Sequence, residues 1–245
     1  KREFQSKYRN SLLGAAWTVL NPLAMIVVYT VIFSRVMHTR LPGVDNSFAY
    51  SIHLCAGMLP WGMFVEVVSR AQNSFIENAN LIKKLSFPRL CLPVIVVANS
   101  LVNFAIVFAL FVVFLLLTGN FPGVAFIAVI PLLTLLTLFA IGLGITLGVL
   151  NVFFRDVGQF FNIVLNFWFW LTPIVYSIEI LPKPVQAGMQ FNPMAPLIQA
   201  FQVVMMQGQW PDWSQLWFIT ALGVGWCLLG FSLFRRHAGE MVDEL

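Results

Sequence analysis

The feature that most constrains this chain is an uncharged run that extends from residue 90 to residue 154. A helix that crosses a bilayer needs about 20 mostly apolar residues, so this run is too long for a single crossing. Residues 118–123 read Thr-Gly-Asn-Phe-Pro-Gly, a sequence typical of a turn. The run therefore predicts two antiparallel membrane helices, over 92–117 and over 124–150.

The composition of the whole chain agrees with a membrane environment. The 245 residues are 59% hydrophobic and only 10% charged, with a mean hydropathy of +0.84. Soluble domains are about 45–50% apolar and about 25% charged, so this excess of apolar surface needs lipid as its solvent. Further uncharged stretches predict spans over 17–37, 49–68, 157–178 and 213–234. The chain is thus predicted to be a single all-α membrane domain with six transmembrane helices.

The segment 184–211 is uncharged but has a different character, because it carries four prolines and six glutamines. Polar groups that face hydrocarbon cost several kcal/mol each, which argues against an ordinary lipid-facing helix. The segment is interpreted as short re-entrant helices on the outer side, before the last span. The sequence Trp-Pro-Asp-Trp at 210–213 then marks the outer interface, where indole rings prefer to lie.

Basic residues predict the orientation of the spans. An even number of spans places both termini on one side of the membrane. That side receives Lys1, Arg2, Lys7, Arg9, Arg70, Lys83, Lys84, Arg89, Arg155, Arg235 and Arg236, and the other receives Arg35, Arg40 and Lys183. Because basic residues accumulate on the cytoplasmic side, both termini are predicted to be cytoplasmic. The net charge of +4 is therefore attributed to the orientation of the spans in the membrane, and no nucleic-acid partner is expected.

Residues 1–16 have the pattern of an amphipathic helix that lies in the membrane interface. Phe4, Tyr8 and Leu12 recur every four residues and share one face, with basic residues around the remainder. Lys7, Tyr8 and Arg9 could contact anionic head groups, including the diphosphate of a lipid-linked substrate. The alternative is an ordinary basic anchor against membrane lipids.

The hydrophilic segment 69–89 predicts a short cytoplasmic helix between two spans. Phe75, Ile76, Ala79, Ile82 and Lys83 have helical spacing, and a proline follows them. Apolar side chains on such a helix could be covered by a partner protein. A surface helix that faces lipid is an equal alternative.

The pair Arg155 and Asp156 lies alone at a membrane boundary, between the spans predicted over 124–150 and 157–178. The two side chains could pair with each other or with a neighbouring loop, which would lower the cost of desolvation. An interfacial turn is at least as good an interpretation.

The span over 157–178 is rich in aromatic residues, among them Phe167, Trp168, Trp170 and Tyr176. Pyranose rings stack on aromatic faces because their C–H edges are apolar. Such side chains could guide a sugar chain through a channel. Lipid contact and helix packing are the simpler explanation of these aromatics.

Several motifs are absent from the sequence. It holds no GxxxxGK[ST] motif, so neither ATP nor any other cofactor is expected to bind to this chain. No cluster of cysteine and histidine suggests a metal site, and Cys55, Cys91 and Cys227 are interpreted as apolar packing residues. A proton-coupled carrier is expected to hold ionisable groups deep in the membrane, and the spans offer little for this beyond His53 and, near a span end, Glu66.

Motifs along most of the chain resemble those of the permease subunits of ABC-2 type polysaccharide exporters, which export O-antigen, capsule and teichoic acid. The order and spacing of these motifs carry the resemblance, and no single motif does. They are Lys7-Tyr-Arg-Asn-Ser-Leu-Leu-Gly14, Trp17, Asn21-Pro22, Tyr50, Gly57-Met-Leu-Pro60, Trp61, Asn80-Leu-Ile-Lys-Lys84, Phe87-Pro-Arg89, Leu92-Pro93, Arg155-Asp156-Val157, Thr172-Pro-Ile-Val-Tyr176 and Asn192-Pro193.

The resemblance implies a homodimer that docks two separate ATP-binding cassette subunits, which bind ATP and Mg. It implies that the segment 69–89 holds a coupling helix and that 184–211 forms the outer gate. The implied coupling residues are Phe75, Glu77, Asn78, Asn80, Ile82, Lys83 and Lys84. The implied substrate is an O-antigen-like polysaccharide on undecaprenyl diphosphate, exported across the bacterial inner membrane during lipopolysaccharide biosynthesis.

Three other functions stay open at this point. An ABC-2 exporter of drugs or simple lipids would share the helix count, although the aromatic span favours a glycan. A membrane-embedded transferase acting on lipid-linked sugars would need acid and base groups near the interface, where only Arg155 and Asp156 are found. A passive channel would need no coupling helix.

Overall fold

The computed structural model describes residues 48–84, 91–178, 181–189 and 191–244, together with residues 20, 24, 27 and 28. Apart from those four positions, the predicted interfacial helix 1–16 and the predicted span 17–37 lie outside the described residues. Every regular element in the described part of the chain is a helix, which confirms the all-α prediction at that level.

The α-helices are labelled in chain order. They are α1 (Ala49–Glu77), α2 (Ala79–Lys84), α3 (Cys91–Leu117), α4 (Val129–Phe153), α5 (Asp156–Leu171), α6 (Lys183–Met189), α7 (Met194–Gln207), α8 (Trp217–His237) and α9 (Glu240–Glu244). Short 3₁₀ helices, Gly123–Ala128 and Trp213–Leu216, lead into α4 and α8.

Among the described residues, four helical stretches are long and apolar enough to cross a membrane: α1, α3, α4 with its 3₁₀ turn, and α8 with its 3₁₀ turn. The fifth predicted span is shorter than expected. α5 has 16 residues and ends at Leu171, whereas the prediction extended to residue 178. Thr172 has an extended backbone because Pro173 follows it, and a proline disfavours the helical conformation of the residue before it.

The segment 69–89 also differs from the prediction of a loop around a separate helix. α1 continues as one helix from Ala49 to Glu77, so it carries the chain well past residue 69. The helix ends at Asn78, whose backbone has left the helical region, and the short helix α2 begins at Ala79. No glycine or proline interrupts residues 69–77, so nothing local stops the helix earlier.

Helix α4 forms the centre of the bundle and packs against α1 on one side and α8 on the other. The rings of Phe64 on α1 and Phe139 on α4 stack with their centroids 5.6 Å apart. Where α4 meets α8, a Cβ atom on Gly142 would lie only 2.5 Å from the backbone nitrogen of Cys227. Small residues at such positions let membrane helices approach closely.

The bundle has two chemically different ends. At one end, the Tyr50 hydroxyl near the start of α1 donates to the carbonyl of Val175 beyond α5, at 2.7 Å. At the other end, Phe75 of α1 stacks on Phe234 of α8, with centroids 5.6 Å apart. This second end is named the basic end, because Arg70, Lys83, Lys84, Arg155, Arg235 and Arg236 belong to the helix ends gathered there.

Candidate conduit face and coupling segment

One face of α5 carries both amide and aromatic side chains and is exposed. This α5 face consists of Gln159, Asn162, Ile163, Asn166, Phe167 and Trp170, all of them exposed. Their spacing of three or four residues places them on one side of the helix. Phe167 and Trp170, two of the predicted conduit aromatics, are 69% and 65% exposed.

Amide side chains make this face a poor partner for hydrocarbon. The Asn166 amide donates to the carbonyl of Asn162 at 3.0 Å, which uses one of its hydrogen-bonding groups. The remaining donor and acceptor groups of the two amides still need water, a polar ligand or another protein chain. In a membrane helix such groups face a protein interface or a water-filled cavity. The α5 face therefore suits a polar conduit.

Trp168 lies on the opposite side of α5, inside the bundle. Its ring meets Trp61, Phe64 and Phe139 edge-on, with centroids 6.1, 5.4 and 6.3 Å away. Its indole nitrogen donates to Asn192 Oδ1 at 2.7 Å. In this conformation the partly buried side chain of Trp168 packs against the core and does not share the exposed α5 face, so its place in a conduit stays a prediction.

Asn192 attaches the end of α5 to the start of α7. Its Oδ1 accepts from the indole of Trp168 and from the backbone nitrogen of Met194, at 2.7 and 3.1 Å. Its Nδ2 donates to the carbonyl of Leu171 and to the hydroxyl of Thr172, at 3.0 and 3.1 Å. The resemblance included Asn192 as a motif residue, but its role as this connection became visible only in the structure.

Tyr176, the last predicted conduit aromatic, lies beyond the end of α5 and is half-buried. Its hydroxyl donates to the carbonyl of Trp170 at 2.9 Å. The contact fastens the segment after α5 against the last turn of that helix.

The predicted coupling residues lie at the basic end and divide into exposed and anchored ones. Glu77, Asn80 and Lys83 are exposed, whereas Asn78 donates from its amide to the carbonyl of Ser74 at 2.8 Å. The side chains of two further predicted residues, Ile82 and Lys84, lie outside the described part of the structure. The exposed group can meet a partner protein at the turn between α1 and α2.

Phe75 was also predicted as a coupling residue, and the structure shows that its side chain does not lie on the surface. The side chain is completely buried and packs with Leu92, Val149, Phe234 and Met241. No surface of Phe75 is left for direct contact in this conformation. It attaches the end of α1 to the neighbouring helices.

Arg155 and Asp156 are both exposed, and the structure contains no ion pair between these two side chains. Asp156 is the first residue of α5, where a negative charge interacts favourably with the helix dipole. The interpretation as an interfacial turn fits this geometry. The predicted head-group residues Lys7, Tyr8 and Arg9 lie outside the described residues.

A buried polar network near the end of α1 was not predicted from the sequence. Asn151 of α4 donates from Nδ2 to the carbonyl of Gln72 on α1 at 3.2 Å, and its Oδ1 accepts from the backbone nitrogen of Gly158 on α5 at 3.0 Å. Gln72 also donates to the carbonyl of Gly158 at 3.4 Å. The available signal was the presence of amide side chains in otherwise apolar spans. The network joins α1, α4 and α5 near the basic end.

Comparison of the sequence with known proteins identifies its family. The model of the ABC-2 type transporter family matches residues 1–206. The chain is 30% identical to the O-antigen export system permease protein RfbA of Klebsiella pneumoniae, over 96% of this chain and 88% of that protein. It is 28% identical to the protein of the same name from Myxococcus xanthus, over 100% of this chain and 93% of the relative. It is 20% identical to the polysialic acid transport protein KpsM of Escherichia coli, over 99% of this chain and 93% of the relative.

Because the family match covers well over half of the sequence, and the Klebsiella pneumoniae relative aligns along nearly its whole length, this chain belongs to the ABC-2 type transporter family.

Proposed function

We propose that this chain is the membrane permease subunit of an ABC exporter that carries lipid-linked polysaccharide across the bacterial inner membrane. Undecaprenyl diphosphate is the proposed lipid carrier, and an O-antigen-like glycan is the proposed cargo. The names of the relatives support this substrate class, since they are permeases for O-antigen and polysialic acid. The observation that carries the proposal is the α5 face, which combines amide and aromatic groups that a sugar chain can contact.

Two copies of the chain would form the conduit. The α5 face has no covering element among the described residues of one chain, and its amides need a polar neighbour. If the α5 faces of two copies point toward each other, they enclose a path lined with amides and aromatic rings. Aromatic faces would allow a sugar chain to slide, because an apolar stacking contact fixes no individual hydroxyl group by a hydrogen bond.

The energy would come from two ATP-binding cassette subunits that bind ATP and Mg. Glu77, Asn80 and Lys83 are exposed at the basic end, where such a subunit can press on the turn between α1 and α2. Nucleotide can shift the permease between conformations only if the partner's states bind those conformations with different affinity. The buried Phe75 and the network around Asn151 then connect this turn with α8 and α5.

The orientation of the proposed permease follows from its basic end. Six basic residues belong to that end of the described bundle, whereas Lys183 lies between the end of α5 and the start of α7. The positive-inside rule therefore favours a cytoplasmic basic end and cytoplasmic termini. Lys7, Tyr8 and Arg9 are proposed to meet the carrier's diphosphate on the same side.

An export assay tests the proposal. The permease is expressed with its neighbouring ATPase in cells that lack their own exporter, and glycan at the cell surface is measured. We expect Asn162→Leu combined with Asn166→Leu to lower surface glycan about tenfold or more, because the face loses its hydrogen-bonding groups. The protein level and the amount of bound ATPase should not change.

Thr134→Leu is the control, since Thr134 is an exposed polar residue on α4 that bonds only to its own helix at 2.9 Å. It should leave export unchanged. Normal export by the double variant would refute the role of the α5 face. If the unaltered permease exported no glycan with its ATPase, the proposed function itself would be wrong.

A further inference from the structure

A polar cavity of about 490 Å³ opens at the end of the bundle opposite the basic end. The cavity is named here the glutamine pocket, because five of its lining residues are glutamines: Gln199, Gln202, Gln207, Gln209 and Gln215. Its other polar lining residues are His53, Ser177, Trp210 and Asp212. Small-molecule sites commonly have volumes of about 300–1,000 Å³, so this cavity can hold a ligand of sugar size. None of the α5 face residues lines it, so it is a separate site.

The lining of the glutamine pocket selects for neutral, hydroxyl-rich ligands. Each amide offers donors and an acceptor side by side, which matches the donor and acceptor character of a hydroxyl group. No lysine or arginine is among the residues that line the cavity in the described structure. Among these described lining residues, a phosphate or diphosphate would find no lysine or arginine to neutralise it, and phosphate sites usually depend on one.

Asp212 at the rim strengthens this selection. Its carboxylate accepts from the hydroxyl and the backbone nitrogen of Ser214 at 2.6 and 3.0 Å, and from Gln215 Nε2 at 3.0 Å. The Ser214 hydroxyl above all lowers the pKa of Asp212, so the group is ionised at neutral pH. A negative charge at the rim opposes the entry of an anionic ligand.

Gln202 provides a fixed, buried amide in the wall of the cavity. Its side chain is 95% buried, and its Nε2 lies 3.3 Å from both the carbonyl of Pro173 and His53 Nε2. Because the carbonyl of Pro173 can only accept, the nitrogen of the amide must face it. The amide oxygen has no hydrogen-bond partner among the described residues, so it can accept from a ligand hydroxyl. Gly57 makes room for this arrangement, since a Cβ there would lie 3.0 Å from Gln202 Nε2.

Trp210 supplies an aromatic surface at the rim and is 55% exposed. The loop that carries it begins at Gly208, which ends α7 in the left-handed conformation with φ 62°. A Cβ on Gly208 would also lie 3.1 Å from the carbonyl of Pro122. Only glycine can adopt this backbone conformation and fit beside Pro122 without strain. Gly208 therefore fixes the path of the loop that carries Trp210.

We propose that the glutamine pocket binds neutral sugar units of the exported glycan at the outer end of the permease. The inference rests on the proposed function for the identity of its ligand. The pocket would hold the glycan through hydroxyl groups and one stacking contact, apart from the path along the α5 face. Because the described lining has no lysine or arginine, we expect neutral sugar units rather than the diphosphate of the lipid carrier as the occupant.

Binding to the whole complex tests this inference. The permease and its ATPase are placed in lipid nanodiscs and dialysed against labelled oligosaccharides, released by mild acid from the host's surface polysaccharide. Inorganic pyrophosphate serves as the anionic probe. Gln199→Leu combined with Gln207→Leu should weaken oligosaccharide binding about tenfold, as expected for the loss of one or two hydrogen bonds. Trp210→Ala should weaken it by a similar factor.

Two variants at the same end of the molecule serve as controls and should bind normally. Trp217→Ala removes a comparably exposed indole, and Gln186→Leu removes an amide, both outside the pocket. Equal binding by the pocket variants and wild type, no binding by wild type, or displacement of the oligosaccharide by pyrophosphate would overturn the inference. Failure of the proposed function is recognised separately, as a loss of ATPase-dependent export by the unaltered permease.

Discussion

Single residues decide how closely the helices of this bundle approach. A Cβ on Gly142 would lie 2.5 and 2.8 Å from backbone atoms of Cys227 and Trp226. Backbone atoms of a packed helix cannot rotate away as a side chain can. The contact between α4 and α8 therefore requires glycine at this position.

We expect Gly142→Ala to lower the free energy of unfolding by about 1–3 kcal/mol, the usual cost of overpacking. Gly225→Ala on α8 is the matched control, because a Cβ there would have nothing within 4 Å. The thermal unfolding midpoint of each variant in nanodiscs is the measurement. Equal midpoints for the two variants would contradict the close contact.

Asp212 gives a second prediction at this scale, which concerns pH. Its hydrogen bonds, led by the one from the Ser214 hydroxyl, lower its pKa from the usual 3.8. A lowered pKa means that the stabilisation is fully present above the unfolded value and is lost as the pH falls through the folded value. Asp212→Asn should therefore lower Tm near neutral pH, and the difference from wild type should shrink below pH 3.8. A difference that stayed constant or grew on acidification would be inconsistent with this account.

At the scale of elements, the end of α1 has a buried anchor beside exposed charged side chains, and we propose that it acts as a lever. Phe75 is held beneath α8 by its stack on Phe234, whereas Glu77 and Lys83 project at the basic end. A force on the exposed side chains would thus reach the neighbouring helices through a packed contact. Interfaces of this kind switch between discrete arrangements because packed cores deform little.

Reversing the charges on this lever should uncouple the exporter. We expect Glu77→Lys combined with Lys83→Glu to lower export about tenfold or more, with ATP hydrolysis by the partner either continuing or lost together with docking. Surface glycan and ATPase activity are measured in the same preparation. Arg236→Glu, an exposed charge reversal at the same end, is the control. Undiminished export by the double variant would exclude the coupling role.

At the scale of the whole molecule, one chain leaves the polar α5 face without a neighbour among its described residues. A second copy would supply that neighbour. We expect Asn166→Cys in the intact complex to form a dimer with a short bismaleimide cross-linker. Val102 on α3 is also exposed, at 54%. We expect its side of the helix to face lipid, so Val102→Cys should stay monomeric. If the Val102 variant formed cross-linked dimers and the Asn166 variant did not, the two copies would meet through α3. That result would contradict a dimer contact through the α5 face.

Much of the fold could be predicted from hydropathy. α1 begins at Ala49, where the second predicted span begins, and α3 ends at Leu117, where the third one ends. The two main errors have local causes. Pro173 shortens α5, and the stretch after residue 69 lacks a helix breaker, so α1 runs on to Glu77.

Only part of the candidate site could be predicted from the sequence. The aromatic side chains of α5 stood out, but Phe167 and Trp168 are neighbours on a helix with 3.6 residues per turn and point in different directions. Which of them faces inward depends on Trp61 and Phe64, residues of another helix far away in the chain. The burial of Phe75 could not be predicted for the same reason, because it depends on contacts with other helices.

The sequence by itself determined that this protein is a helical membrane protein and carried the motifs of its family, since lipid admits only long apolar segments whose backbone groups are paired internally. Only the tertiary structure decided which side of each helix meets protein and which stays open. It turned Trp168 into a core residue, left Asn162 and Asn166 exposed, and brought Gln202 against His53. These outcomes depend on contacts between segments that are distant in the chain, and the hydropathy pattern cannot predict such contacts.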